Sequence, residues 1–261
     1  MILPGLVSIT FRKLSVREIV ELVRKAGLAG IEWGGDVHVP HGDVKTAREV
    51  RALTEDAGLR PASYGAYYRA GESESEGLTF GSVLRTAVAL GAPVIRVWAG
   101  KTKEVNDPEY RARVVADSRR IADLAAAEGI AVAYEYHQNT LTSTNESAAA
   151  LLREVAHENV KTYWQRIHED VATCMDGLEA VLPHVCHVHV NYMRPGSREK
   201  LPLAEGGEPW VRYLRAVSGT GGTHFALIEF VAGNEPEAFL ADAATLTDWL
   251  RRVQYSDGNH G

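Results

Sequence analysis

Residues 130–144 read IAVAYEYHQNTLTST. An apolar run ends abruptly in a carboxylate and an imidazole, Glu135 and His137, and a polar loop follows. Successive side chains of a β-strand face opposite ways. In that phase Ile130, Val132 and Tyr134 point to one side, and Ala131, Ala133, Glu135 and His137 to the other. Small residues followed by a charge on one face describe a narrow interior that opens onto a site. An ordinary strand-end salt bridge would explain Glu135 by itself equally well, so the weight falls on whether the pattern recurs.

Outward from this strand the chain alternates. A strand is expected at 6–10, and Ser15 caps the amphipathic segment VREIVELVRKAG, which stops at Gly27. A strand at 30–33 leads into the loop GGDVHVPHGD, then come a helix at 44–57, a strand at 60–64 and a helix at 78–90. The strand at 93–98 precedes a helix at 108–128. After the opening strand follow helix 146–157, strand 160–164, helix 171–182, strand 185–191, helix 209–217, strand 224–230 and helix 237–253. Eight strand-then-helix units fill the chain, the signature of an α/β protein of the (β/α)8 TIM barrel type in a single domain. The barrel is assigned to 1–254 and a polar C-terminal tail to 255–261. A doubly wound open sheet is the alternative, but no GxGxxG follows the first strand.

Composition narrows the function classes. With 45% hydrophobic and 24% charged residues in 261, the chain reads as an ordinary soluble enzyme. Lys and Arg number 28 against 34 Asp and Glu, a net charge of -6 that argues against a surface built to track phosphate backbones, so no nucleic-acid partner is expected. Cys174 and Cys186 have no CxxC spacing and sit in apolar segments, as reduced packing residues do. No secretory signal is legible, and no window approaches the ~18 apolar residues of a membrane span. A cytoplasmic protein without a membrane partner is the expectation.

In such barrels chemistry sits where strands end. Strand six sets Thr162 and Trp164 against Tyr163 and Gln165, and its exit carries His168. Strand seven places Val188 and Val190 on the helix side and His187, His189 and Asn191 inside. Strand eight places Ala226 and Ile228 outside and Phe225, Leu227 and Glu229 inside. Glu135, Gln165, His189 and Glu229 therefore share one rim and form a plausible divalent-cation site. His187 reads as a satisfied core histidine. Glu229, between Ile228 and Phe230, needs a cation, a metal or a proton, because an unpaired buried carboxylate is costly.

Jointly, GIEWGGDVHVP after strand two, YEYHQNTLTST at strand five, CHVHV at strand seven and LIEF at strand eight resemble the sugar phosphate isomerase/epimerase family. That family lies within the xylose isomerase-like TIM barrel superfamily, which also holds apurinic endonuclease-type enzymes. The resemblance implies that Glu135, Gln165, His189 and Glu229 bind one divalent metal, with Mn2+ favoured and Mg2+, Co2+ or Zn2+ as alternatives. It also implies that Glu135 and Glu229 act as the acid/base pair and that His168 binds a substrate oxygen. Gln165 departs from the family pattern, which usually has Asp there, and leaves a bound cation with one fewer anionic ligand. Relatives suggest a homodimer.

The mechanism expected is metal-assisted proton transfer next to a carbonyl through an enediolate, giving an isomerase or epimerase acting on a sugar, keto-sugar or cyclitol. His137, Arg194, Trp98 and Glu32 are the further candidates for contact with this small polyhydroxylated substrate. Arg96, His38, His41, Tyr64, Tyr67 and Tyr68 are secondary candidates, and for Glu32 with Arg96 an interior ion pair is the competing reading. The stretch NYMRPGSREK reads as a flap. Two other classes stay open: a dehydroshikimate dehydratase-like lyase that loses water after the same proton abstraction, and a barrel that binds sugar without catalysis.

Overall fold

Helix starts lie where short polar side chains precede the apolar periodicities. Ser15 and Glu18 form a reciprocal capping box, and Asp43, Thr79, Asp107, Thr144 and Asp170 each accept from a first-turn N–H of the helix they precede. The computed structural model describes residues 1–102 and 104–257. Its strands are β1 (Ile2–Val7), β2 (Gly30–Gly34), β3 (Arg60–Arg69), β4 (Val94–Trp98), β5 (Ala131–Tyr134), β6 (Val160–Trp164), β7 (Val185–Val190) and β8 (His224–Ile228). The intervening helices are α1 (Val16–Lys25), α2 (Val44–Asp56), α3 (Phe80–Leu90), α4 (Pro108–Ala126), α5 (Asn145–Val155), α6 (Val171–Val181), α7 (Gly207–Ser218) and α8 (Pro236–Asp257).

All neighbouring strands are parallel, and β8 pairs with β1 to close the barrel in sequence order. Two apolar layers follow from the strand alternation. Val132, Tyr134, Val188, Val190, Ala226 and Ile228 pack outward against the helices. Val7, Ala62, Ala133, Tyr163, Phe225 and Leu227 fill the interior. The phase read from the sequence for strands five to eight is the phase observed.

Three boundaries differ by more than two residues. The first strand is Ile2–Val7, not 6–10, and Ser8–Phe11 forms a 3-10 turn. Ser8 Oγ accepts from Gly34 N at 2.9 Å and Thr10 Oγ1 from Phe230 N at 3.0 Å, so these two hydroxyls tie loop backbone across the top of the barrel instead of extending a strand. β3 runs on to Arg69 past a register shift. The tail expected from 255 is helical through Asp257, and its remainder lies outside the described residues. Among the described residues no helix is long and apolar enough to cross a membrane.

Candidate active site

Closing the barrel brings residues far apart in sequence to one end of its axis. Glu135 follows Ala133 by one inward step, its N–H bonded to Val97 O at 3.0 Å, and Glu229 leaves β8 with its N–H on Val190 O at 3.0 Å. Between them lies His189, fully buried on β7. Its Nδ1 is 3.6 Å from Glu135 Oε1 and 3.4 Å from Glu229 Oε2. One ligand atom from each of the three residues falls within 4.8 Å of the others.

Beneath this trio is an ion-pair network. Arg96, 1% exposed, donates from Nε to Glu32 Oε1 at 2.6 Å and from Nη1 to Glu135 Oε2. Glu32, 0% exposed, also accepts from Ser63 Oγ at 2.8 Å and lies 3.6 Å from His189 Nε2. Burial pushes the Glu32 carboxyl up, but Arg96 and His189 outweigh it and hold it below the usual carboxylate range. Glu135 behaves likewise, with Arg96, His189 and the Trp98 N–H overcoming burial. For His189 burial acts downward and is overcome by Glu229, Glu135 and Glu32, which hold the imidazole well above its ordinary value.

The donor set fits a divalent cation. Neither nitrogen of His189 has a hydrogen-bond partner among the described residues, although the ring is buried, and an unsatisfied buried polar atom is costly. Three buried carboxylates, Glu32, Glu135 and Glu229, face one buried guanidinium, Arg96. With His189 neutral, as an imidazole must be to ligate a metal, the group carries two uncompensated negative charges, the deficit a divalent ion removes. Gln165 donates its amide N–H to Tyr136 O. A carbonyl only accepts, so the amide nitrogen is fixed there and the oxygen is the end left for a cation.

Above the trio opens a cavity of about 830 Å³. Its walls include Tyr67, Trp98, His137, His168, Asn191 and Phe230. Trp98 donates from Nε1 to Glu135 Oε2 at 2.6 Å. Its ring stacks on His137 at 4.4 Å, with the Arg69 guanidinium 4.0 Å from its centroid. His137 Nδ1 is engaged by Gln138 O at 2.8 Å, and Nε2 has no hydrogen-bond partner among the described residues. Tyr67 and Phe230 both hold positive φ, 53° and 61°, uncommon for bulky residues and concentrated here on the cavity wall.

The mouth is cationic. Arg12 pairs with Asp36, and Arg194 with Glu199. Arg166 instead donates to His168 O at 2.9 Å, Arg198 to Gln138 Oε1 at 2.9 Å and Lys200 to Asn234 Oδ1 at 3.1 Å. These three cations contact neutral oxygens and keep their charge facing the cavity that all three line. The flap folds back on itself through a Met193–Lys200 bridge and reaches the β6 exit through Gly196 N on Glu169.

Of the residues picked from sequence, Glu135, His189 and Glu229 converge, and Gln165, His137, His168, Trp98 and Arg194 line the cavity together with the two glutamates. Glu32 does not line the cavity. β2 continues inward to Gly34, so Glu32 sits one layer below the rim and is closed off by Arg96 and Ser63. Tyr64 turns its hydroxyl to Val39 O and Tyr68 to Asp117, while His38 bonds Ser8 and His41 bonds Ala66 O, so none of these four lines the cavity. His187 is the satisfied core histidine expected: Nε2 contacts Ala62 O at 3.3 Å, Nδ1 accepts from Phe225 N at 3.2 Å, and burial lowers its pKa to about 4. Arg12, Arg166, Arg198 and Lys200 went unnoticed in the sequence, where their only signal was clustering in loops after strand ends.

A family model described as a xylose isomerase-like TIM barrel matches residues 20–253. The chain is 27% identical over 273 residues to a 3-dehydroshikimate dehydratase of Bacillus anthracis, covering 94% of this chain and 96% of that protein. The crystal structure of the probable 3-DHS dehydratase AsbF of Bacillus anthracis superimposes with a TM-score of 0.77 at 26% identity, over 95% of this chain and 99% of that one. A 3-keto-D-glucoside 4-epimerase from E. coli shares the fold, with a TM-score of 0.73 at 17% identity over 97% and 100% of the two chains.

Proposed function

The chain belongs to the xylose isomerase-like TIM barrel family, and from that premise we propose that it is a metal-dependent lyase removing water from a cyclic hydroxy-ketone acid of the 3-dehydroshikimate kind. The observation that carries this reading is the unequal treatment of the two glutamates. Glu135 Oε2 already accepts from Arg96 and Trp98, so its charge is fixed and its role is to hold. Glu229 faces His189 and receives no hydrogen bond on its side chain among the described residues, so it is the carboxylate with capacity for a proton. One holding carboxylate and one working carboxylate suit an elimination, in which a single base acts at carbon. The similarity to a 3-dehydroshikimate dehydratase and the three cations at the mouth support an anionic substrate.

In this reading Glu135, His189, Glu229 and the Gln165 amide oxygen hold the metal, which when bound supplies Lewis-acid stabilisation of negative charge on a substrate oxygen. Glu229 takes the proton α to the ketone. His137, stacked on Trp98 with its Nδ1–H on Gln138 O, takes a second proton from solvent at Nε2 and gives it to the departing β-hydroxyl, so that a C–H and a C–O bond break, a C=C bond forms and water leaves without any change of oxidation state elsewhere. Arg166, Arg198 and Lys200 hold the substrate carboxylate at the mouth, and His168 contacts a ring oxygen.

An epimerase is the second reading. It rests on the presence of two carboxylates, Glu135 and Glu229, beside His189 Nδ1 at the cavity floor, since a two-base proton exchange needs a pair. The test is Mn2+-loaded protein with 3-dehydroshikimate, followed for the conjugated product, beside keto-sugars in D2O followed for deuterium uptake. The lyase reading expects the chromophore and its loss, by about 10²–10⁴-fold in rate, in Glu229→Gln. Deuterium uptake into sugars without any chromophore would instead establish the epimerase, and neither signal would identify a binding barrel.

A further inference from the structure

The residue one layer below the site, Glu32, has no place in the chemistry above, yet it is the most completely buried carboxylate of the group. Burying it requires Arg96 Nε at 2.6 Å, Ser63 Oγ at 2.8 Å and a glycine opposite. A Cβ on Gly65 would come within 2.6 Å of Arg96 Nη2 and 3.0 Å of Glu32 Oε1, so β3 is hollowed at that point to admit the ion pair. Glu32 Oε2 also faces His189 Nε2 at 3.6 Å, a ring nitrogen with no hydrogen-bond partner among the described residues.

We propose that Glu32 is a positioning residue which sets His189 from behind and supplies, one layer below the metal, the negative charge that Gln165 does not. The inference rests on the metal site proposed above. A ligating imidazole keeps its proton on the nitrogen remote from the metal, and a carboxylate at that nitrogen fixes the tautomer and raises ligand basicity. Here Nδ1 faces Glu135 and Glu229 while Nε2 faces Glu32, so Glu32 directs the Nε2–H tautomer and leaves the Nδ1 lone pair for the cation. The charge count points the same way. With Glu32 present, two ligating glutamates, Glu32 and Arg96 leave two negative charges for a divalent ion. Without it, the same ion would carry one positive charge in excess in a buried site.

Mn2+ affinity measured by calorimetry on the purified, folded protein tests this, with folding checked by circular dichroism. Glu32→Gln is expected to weaken Mn2+ binding by about 10–100-fold. Adding Gln165→Asp to that variant is expected to recover most of the loss, whereas Gln165→Asp alone gains much less. Ser63→Ala, which removes one bond to Glu32 and no charge, is the variant to use if Glu32→Gln does not fold, and it should weaken Mn2+ binding by a smaller factor. Unchanged affinity in Glu32→Gln or Ser63→Ala, or an equal gain from Gln165→Asp in both backgrounds, overturns the inference while leaving the metal site standing. Absence of Mn2+ binding by the unmodified protein overturns both.

Discussion

The indole N–H of Trp98 donates to Glu135 Oε2 across 2.6 Å, and the same oxygen takes the Nη1 proton of Arg96. Two donors on one carboxylate oxygen make Glu135 a fixed group. Trp98→Phe keeps a ring for His137 to stack on but removes one donor from a buried charge. We expect it to cost about 1.5–3 kcal/mol of unfolding free energy in denaturant titrations. The single-base reading further expects the rate of water elimination to change less in Trp98→Phe than in Glu229→Gln; an equal or larger fall would contradict it.

Lys200 stands at the mouth, bonded to Asn234 and 4.2 Å from the Phe230 ring centroid, with no carboxylate in ion-pair range among the described residues. If it orients the substrate carboxylate, Lys200→Met raises KM about tenfold or more while kcat falls less. The defect should shrink for a substrate analogue whose carboxylate is replaced by a neutral amide. A kcat defect with KM untouched would place Lys200 in the chemistry instead.

Gly65 admits the Arg96–Glu32 pair. Gly65→Ala places a methyl 2.6 Å from Arg96 Nη2 inside a packed barrel, and overpacking of this kind costs about 1–3 kcal/mol. Thermal unfolding monitored by circular dichroism should show the loss. An unchanged Tm would mean that the interior has slack the close contacts do not show.

Asp242 on α8 is 2% exposed and accepts from Leu203 N at 2.8 Å. Burial raises its carboxyl to about 6, against the smaller opposing effect of that hydrogen bond. The folded protein therefore binds this proton more tightly than the unfolded chain. Its favourable contribution is complete below the unfolded value of about 3.9 and is lost as pH rises through 6. Asp242→Asn keeps an acceptor for Leu203 and removes the charge, so it should stabilise the fold at pH 8 by on the order of 1–3 kcal/mol. That gain should disappear at pH 4. A gain independent of pH would show that charge burial is not its source.

The amino-acid sequence by itself determined the barrel and the face on which each strand carries its polar groups. Both depend on local rules: alternation of side chains along a strand and capping residues before each helix. Those rules were sufficient to bring Glu135, His189 and Glu229 to one rim. Depth along the barrel axis is different, because it depends on where each strand stops and how neighbours are staggered. Glu32 and Trp98 both read as inward residues near strand ends. Only the closed barrel shows that Glu32 lies under the floor with Arg96 while Trp98 reaches up to Glu135. The cationic mouth was hidden for the same reason: Arg166, Arg198 and Lys200 belong to loops after β6 and β7 that meet through Gly196 and Glu169, and their other contacts, to Gln138 after β5 and Asn234 after β8, are equally remote in sequence. Tertiary structure thus decided which glutamate is held by Arg96 and Trp98 and what charge the cavity presents, since these follow from long-range packing that no local pattern encodes.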